Sequence, residues 1–280
     1  MTTTDEILAL AASANPTTTV TEADVAAFRA AAAQGGDSAM VRALLAVRSA
    51  TAPAGQAAAH PAAPSGPYLA DAAWTAWLTT VAAMADGAVA DAAVADGAVA
   101  DAAVADGAVA AADGVTLAGE PEAAGGTAVD ADERTAGTPR PVWCAVFGAA
   151  VSLTGQPGSA PPPVPVTAAI AAGLNAAAIV ASRLEDWGGW SSATVAAAIG
   201  AGVTAGLLLG LDEPRLRAAI GICATQAAGL RAAAGADAFP LQVGKAAFNG
   251  VEAAGLARAG LTAPAEPLDG RRGLFALFGS

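Results

Sequence analysis

The chain has 280 residues, is 55% hydrophobic but only 4% aromatic, and carries a net charge of −12 at pH 7. Eleven acids and no base lie within residues 85–133, so the remainder is nearly neutral and lacks the basic face that nucleic-acid binding requires. The mean hydropathy of +0.50 comes largely from Ala and Gly, whereas Leu, Ile, Phe and Val drive insertion into lipid, so we expect no membrane-spanning helix.

The N-terminal region predicts two helices with recognisable caps. Thr3 or Thr4 is expected to cap a helix over residues 5–14, because a side-chain oxygen there can accept from a free N–H of the opening turn. Thr21 opens a second helix, and Asp24 three residues later makes the start close to a capping box. Local chemistry therefore predicts where both helices begin.

Two further helices are predicted before the acidic segment. A helix over residues 38–49 follows a Gly-Gly break, and the Pro/Ala-rich residues 51–68 are typical of a loop. The next helix, residues 71–84, carries Trp74 and Trp77 on one stripe. A tryptophan pair at this spacing is more often core packing than the wall of a ligand site, and both interpretations stay open here.

An acidic repeat follows these helices. The sequence ADGAVADAAV at 85–94 recurs at 95–104 and begins again afterwards, which places an Asp every five residues. On a helix this period makes the aspartates spiral, and on a strand it alternates their faces, so neither builds an apolar face. The repeat is interpreted as a low-complexity insert. Calcium binding is the alternative, but the Gly-rich pattern of calcium-binding repeats is absent, and no metal site is expected.

The helix that follows residue 190 is predicted to be buried on all sides. Ser191, Ser192 or Thr194 can cap it, and its body over residues 195–209 carries no charge and is rich in Ala and Gly. A sequence of this kind has no polar face to present to water. We therefore expect this helix to lie at the centre of the core.

Two more helices complete the predicted core. Asp212 is expected to cap the first, with Pro214 near its opening turn, where the missing N–H of proline costs nothing. That helix is predicted to run to about Leu230, and the second to cover residues 244–259.

The predicted fold class is all-α, a compact helical bundle. Two helices over residues 143–154 and 166–184 precede those just described. The expected division of the chain is N-terminal helices of the helical domain at 1–84, with the Pro/Ala loop at 51–68, an acidic low-complexity insert at 85–128, and a helical core at 129–280.

Short motifs after residue 187 resemble those of one protein family. The matching motifs are Gly189-Trp190, Leu208-Leu209-Gly210-Leu211, Ile220-Gly221-Ile222, Thr225-Gln226-Ala227-Ala228-Gly229, Gly244-Lys245-Ala246-Ala247, Gly250, Gly260-Leu261-Thr262 and Gly273-Leu274. In this register the chain resembles the MmgE/PrpD family, which includes 2-methylcitrate dehydratases and cis-aconitate decarboxylases. The resemblance implies a large helical domain, which in the family is joined to a smaller α/β lid domain across the active site. The chain stops about where the lid would begin and is expected to keep only the helical domain.

The acid–base residues of the family motifs are replaced in this chain. Ser191 stands where the helix-start motif has histidine. In the motif K-x-L-H-x-G, Phe239 stands at the lysine position and Gln242 at the histidine position. Ser, Phe and Gln cannot exchange protons near neutral pH. Dehydratase or decarboxylase chemistry of the family type is therefore not expected.

An earlier aspartate motif of the family is similar to residues 129–134. Asp130 and Asp132 are kept, and Arg134 stands at a threonine position. The pKa of an aspartate rises in an apolar pocket, which lets it serve as an acid, so these three are the candidate catalytic residues. The alternative is that Asp130 and Arg134 pair with each other at i, i+4 and have no further role.

The resemblance also implies a pocket of aromatic and neutral polar side chains. The candidate substrate-binding residues are Trp190, Ser191, Thr194, Phe239, Gln242 and Lys245. Such a pocket can bind and orient a mostly apolar small molecule, with catalysis coming mainly from positioning. No cofactor is expected, and the two cysteines, Cys144 and Cys223, are interpreted as small core residues.

Three functional hypotheses stay open. The first is an enzyme of repurposed chemistry, of isomerase, cyclase or lyase type, that acts on a small biosynthetic intermediate. The second is a non-catalytic partner or binding subunit of a full-length homologue, and the third a degenerate remnant. Aromatic and polar replacements among preserved glycines argue against the third. The family implies a homodimer, with a heteromer as the alternative, and the lack of a basic N-terminal segment predicts a cytoplasmic protein.

Overall fold

The structure, a computed structural model, describes residues 1–13, 18–51, 69–85, 140–154, 161–184 and 189–277. Within these residues it contains α-helices, short 3-10 helices and no strand, which confirms the predicted all-α fold. The α-helices are α1 Thr3–Ala11, α2 Glu22–Gln34, α3 Ala39–Thr51, α4 Leu69–Ala85, α5 Arg140–Thr154, α6 Val166–Ala181, α7 Ser192–Leu208, α8 Glu213–Gln226 and α9 Ala238–Arg258. Most of the predicted loop and of the acidic insert lie outside the described residues.

Helix α7 is the centre of the bundle. Every residue from Thr194 to Gly206 is buried, and the helix contacts α5, α6, α8 and α9, as its uncharged sequence predicts. A Cβ at Gly250 of α9 would lie 2.5 Å from Cβ of Ala201 and 2.6 Å from the backbone N of Gly202. Helices α7 and α9 therefore pack backbone against backbone, and α9 also packs against α4 on its other side.

An aromatic cluster joins α2 to α5. Phe28 packs edge-on against Trp143, with ring centroids 6.1 Å apart, and lies 5.6 Å from Phe147. The rings of Trp143 and Phe147 stack at 3.6 Å. These large side chains fill the core where α2 meets α5. The rest of the core is built mainly of Ala, Val and Ile.

Three helix beginnings follow the local chemistry of the sequence. Thr21 caps α2 in a capping box with Asp24, and Asp212 caps α8 with Pro214 in the first turn. Ser191, one of three candidates, caps α7 by accepting from a backbone N–H of the first turn.

The predicted cap of α1 is wrong. Thr2 caps the helix in a capping box with Asp5, whereas Thr3 and Thr4 lie buried in the first turn. The N–H of Thr3 donates to the carboxylate of Asp269 at 2.5 Å. This contact with the distant C-terminal segment holds Thr3 inside the helix, so the cap falls one residue earlier.

Two predicted helix limits are also wrong. Helix α8 ends at Gln226 rather than near Leu230, and α9 begins at Ala238 rather than Gly244. The residues after α8 leave the helix because Leu230 forms an isolated antiparallel β-bridge with Trp190. Tertiary pairing therefore overrides the helical pattern at this point.

The hydrophobic residues of the described helices pack mainly inside the bundle. None of the described helices combines the length and the hydropathy that a membrane crossing needs. Cys144 and Cys223 are both buried in the core, and burial raises the pKa of the Cys223 thiol to about 12. The thiol of Cys223 is therefore protonated and packs as a small apolar side chain.

Candidate functional site

The start of α7 is held against the segment that follows α8. Trp190 and Leu230 form the antiparallel β-bridge, and the N–H of Ser191 donates to the carbonyl of Gly229 at 3.1 Å. The Trp190 ring is partly buried against the core, whereas Leu230 is 55% exposed. We call residues 189–191 and 229–231 the bridge segments.

Ser191 and Thr194 are bonded to each other beside these segments. The hydroxyl of Ser191 accepts from the backbone N–H of Thr194 at 3.4 Å, and the hydroxyl of Thr194 donates to the carbonyl of Ser191 at 3.0 Å. Both residues are buried. Their hydroxyls thus complete the first turn of α7, and substrate binding by either residue stays a prediction.

The side-chain amide of Gln242 forms two hydrogen bonds with the backbone of Leu230. Its Oε1 accepts from the N–H of Leu230 at 3.0 Å, and its Nε2 donates to the carbonyl of Leu230 at 3.2 Å. Phe239, one turn earlier in α9, is partly buried against the core. The structure thus brings Trp190, Gln242 and the start of α7 to one place, where Gln242 ties α9 to a bridge segment.

The three candidate catalytic residues are not described by the structure. Asp130, Asp132 and Arg134 lie within residues 86–139, outside the described ranges. Their catalytic role and their possible pairing therefore stay predictions.

Lys245 lies one turn further along α9, against a group of aromatic rings. Trp74 and Trp77 of α4 stack with ring centroids 5.1 Å apart, and Phe248 of α9 meets both of them edge-on at 5.9 and 5.8 Å. The Nζ of Lys245 lies 3.7 Å from the centroid of the Phe248 ring and 5.5 Å from that of Trp77. We call these four residues the aromatic site.

Gly244 is what lets α4 approach α9 here. A Cβ at Gly244 would overlap Cδ1 of the Trp77 indole and would lie 2.8 Å from Cγ2 of Val81. The absent side chain therefore leaves the space in which the Trp77 ring reaches the neighbouring lysine.

Burial and charge act in opposite directions on Lys245 of the aromatic site. Burial lowers the pKa of Lys245 below its ordinary value, and the negative charge of Glu252 opposes this shift. Glu252 is in turn held by Gln226, whose Nε2 donates to its carboxylate at 3.2 Å. Asn249 donates to the carbonyl of Gln226 at 2.9 Å. A row of polar side chains thus runs along α9 from Lys245 to Glu252.

Two buried polar atoms border this row. The Nε1 of Trp77 and the Oε1 of Gln226 are buried and have no hydrogen-bond partner among the described residues. Most buried polar atoms in proteins are bonded, so this donor and this acceptor are available to a group that binds beside them.

One family model matches more than half of this chain. The model of the MmgE/PrpD N-terminal domain covers residues 132–280. The chain belongs to the MmgE/PrpD family. No protein of curated function matches it significantly.

Two motif positions of the MmgE/PrpD family lie at the bridge segments. Ser191 and Gln242, the two positions at which the family motifs place histidine, lie on either side of the segment that contains Gly229 and Leu230. In this MmgE/PrpD protein both positions carry side chains that bond to the backbone.

The sequence alone pointed to only part of the aromatic site. Lys245 and the tryptophan pair were singled out, but Phe248, Glu252 and the α8 residue Gln226 were missed. One available signal was the spacing of residues 245, 248 and 252, which share a face of a helix. A second was that Lys245 is the only lysine in the 280 residues.

Metal ligands do not gather in the part of the chain that the structure describes. No group of three or more His, Cys, Asp or Glu side chains there could hold an ion.

Proposed function

We propose that this MmgE/PrpD protein is an enzyme of repurposed acid–base chemistry, of isomerase, cyclase or lyase type, that acts on a small biosynthetic intermediate. The observation that carries the proposal is the position of Lys245, a partly buried amine against the rings of Trp77 and Phe248. Burial lowers the pKa of this amine, and a lowered lysine pKa is how enzymes obtain a base that works near neutral pH.

The site supports transfer of a proton to and from carbon. A neutral Lys245 can take a proton from a carbon next to a carbonyl or carboxylate group, and the resulting ammonium can return it at another carbon or to a leaving group. Glu252 offers a second proton-transfer group on the same helix face. The faces of Trp77 and Phe248 can hold the apolar part of the substrate. Lys245 and Glu252 would thus replace the family's lysine and histidine.

The remaining expectations belong to the same proposal. The enzyme would use no cofactor, act as a homodimer and work in the cytoplasm. A catalytic role of Asp130, Asp132 and Arg134, which the resemblance to the family motif implies, stays part of the proposal.

A partner subunit of a full-length homologue is the second candidate function. Leu230 is 55% exposed although it lies in a bridge segment beside the partly buried Trp190. An apolar side chain exposed at this place offers a contact that a homologous subunit could cover.

The proposed function is tested by solvent deuterium exchange. The protein is incubated in D₂O with a set of small keto, hydroxy and unsaturated acids, and each compound is analysed by mass spectrometry for deuterium at carbon and for products. We expect the native protein to exchange or convert at least one compound class, and Lys245→Met to lose this activity. Arg258→Met, which removes an exposed cation from the last turn of the same helix, is the matched control and should keep it.

Two results would contradict the proposal. Exchange that survives Lys245→Met would show that the amine is not the base. A native protein that exchanges none of these compounds but purifies from its host in a fixed ratio with a full-length homologue would favour the partner subunit instead.

A further inference from the structure

Lys245 is chemically singular in this chain. It is the only lysine among 13 basic residues, and the other basic side chains are arginines. Arg183, Arg215 and Arg217 each form an ion pair on the described surface. Arginine stays charged at all relevant pH values, whereas lysine can become a neutral amine. The one lysine lies at a partly buried position. Unlike an arginine at the same place, it can lose its proton and act as a neutral amine.

The surroundings of Lys245 suit a nucleophilic amine. Its Nζ lies 3.7 Å from the centroid of the Phe248 ring, and the Trp77 ring is the next aromatic neighbour at 5.5 Å. Desolvation of a lysine in a hydrophobic pocket is one of the ways in which proteins activate this nucleophile. The lowered pKa of Lys245, caused first by burial, agrees with this geometry.

Groups that would assist addition to a carbonyl lie on the same row. Glu252 acts electrostatically on Lys245 and is held in place by Nε2 of Gln226 at 3.2 Å. The Nε1 of Trp77 is a buried donor without a hydrogen-bond partner among the described residues. The oxygen of a bound carbonyl compound can accept a hydrogen bond from this N–H, which has no other acceptor among the described residues.

We propose that Lys245 forms an imine with a carbonyl substrate, an aldehyde or ketone whose apolar part packs on the rings of Trp77 and Phe248. This inference rests on the proposed function and names its substrate class.

The proton transfers of the covalent step use only the substrate, Lys245 and Glu252. The neutral Nζ adds to the carbonyl carbon, and one proton passes from nitrogen to oxygen to give a carbinolamine. Glu252, which holds the proton that the Lys245 ammonium gave up on becoming neutral, then gives it to the hydroxyl, which leaves as water while the nitrogen lone pair forms the C=N bond. The products are a protonated imine, one water and the Glu252 carboxylate. The imine cation then draws electrons from the adjacent C–H bond, which makes the proton transfer of the proposed function easier, and water later reverses the linkage.

The test uses reductive trapping on the full chain. Phenylacetaldehyde and phenylpyruvate are each mixed with the protein and cyanoborohydride, and the modified residues are mapped by mass spectrometry. In Arg258→Lys a second lysine is introduced at an exposed position of the same helix, so both amines compete in one molecule. We expect Lys245 to be trapped several-fold faster than the introduced lysine, because burial lowers its pKa and leaves more of the amine neutral.

Glu252→Gln supplies a second readout. It keeps an acceptor for Gln226 but removes both the acid and the negative charge that raises the pKa of Lys245. Loss of the charge alone would speed trapping, so slower trapping at Lys245 by several-fold, with the introduced lysine unaffected, is the result expected of an acid. Trapping of Lys245 at the rate of the introduced lysine, or slower, would overturn the imine. If deuterium exchange is nevertheless lost in Lys245→Met, the proposed acid–base function stands without the imine, and if exchange is also unaffected both proposals fail.

Discussion

The amine of Lys245 lies 3.7 Å from the centroid of the Phe248 ring, one turn away on the same helix. Its aliphatic stem is partly buried, and burial of the charged end lowers the lysine pKa. The position thus combines an unfavourable charge burial with a favourable cation–π contact, and the two effects oppose each other in the stability of the fold.

Lys245→Met separates stability from activity. Methionine keeps most of the apolar stem and removes the desolvated charge, while the cation–π contact that is lost contributes only about 0.5–1 kcal/mol. We expect the free energy of unfolding to stay within about 1 kcal/mol of the native value, as is typical when a partly buried charge is replaced by an apolar group. Urea unfolding measures it. A loss of more than about 3 kcal/mol would indicate that the lysine has mainly a structural role.

Gln242→Ala tests the tie between α9 and the bridge segments. The variant removes two hydrogen bonds to the backbone of Leu230, of 3.0 and 3.2 Å, and a net hydrogen bond is worth about 0.5–1.5 kcal/mol. We expect destabilisation of about 1–2 kcal/mol and faster hydrogen exchange of the Leu230 amide. Gln34→Ala, which changes an exposed glutamine at the end of α2, is the control. Unchanged exchange at Leu230 would mean that Gln242 does not hold this segment.

Gly250→Ala tests the backbone contact at the centre of the bundle. The new Cβ would lie 2.6 Å from the backbone N of Gly202, which no side-chain rotation can relieve. We expect a loss of about 1–3 kcal/mol, the usual cost of overpacking, seen as a lower urea midpoint. At Gly36 a Cβ meets nothing within 4 Å, so Gly36→Ala should leave the midpoint nearly unchanged. Equal stabilities of the two variants would contradict the close packing of α7 and α9.

The carboxylate of Asp5 makes the stability of the fold depend on pH in the acid range. The N–H of Thr2 and the guanidinium of Arg217 lower the pKa of Asp5 from 3.8 to about 2. Because the pKa is lower in the folded state, the unfolded chain binds the proton first, and the stabilisation is complete above pH 3.8 and is lost as the pH falls towards 2.

The consequence is measured by comparing Asp5→Asn with the native chain. The native protein should be the more stable of the two above pH 3.8, and the difference in urea midpoint should shrink as the pH is lowered towards 2. A difference that is the same at neutral and acid pH would show that the Asp5 charge does not stabilise the fold.

The parts of the fold that could be predicted are those controlled by neighbours in sequence. The caps Thr21 and Asp212 use bonds that span three residues, and the buried character of α7 is visible in its uncharged composition. The predicted start of α9 is wrong, and Pro240 lies inside the helix. In the structure it occupies the third position of the helix, where the backbone N–H has no intrahelical partner and proline loses nothing.

The candidate site could be predicted only in part, for the same physical reason. The contact of Trp77 with Lys245 joins α4 to α9 across a long stretch of chain, through a space that exists because residue 244 is glycine. The tie between Gln242 and Leu230 depends on the bridge to Trp190, which ends α8 early. No spacing within one helix specifies either contact, although the sequence does show that Lys245 is the only lysine.

The most direct test of the central claim is an NMR titration of Lys245 in protein labelled with ¹³C-lysine. Since the 280 residues contain one lysine, the side chain gives one set of signals and needs no assignment by mutation. We predict that the Cε signal is shifted by the ring currents of Phe248 and Trp77, that it titrates below the ordinary value of 10.5, and that both features vanish in urea. A signal at the unfolded position that titrates at 10.5 or above would contradict a desolvated amine at the aromatic site, and with it the proposed chemistry.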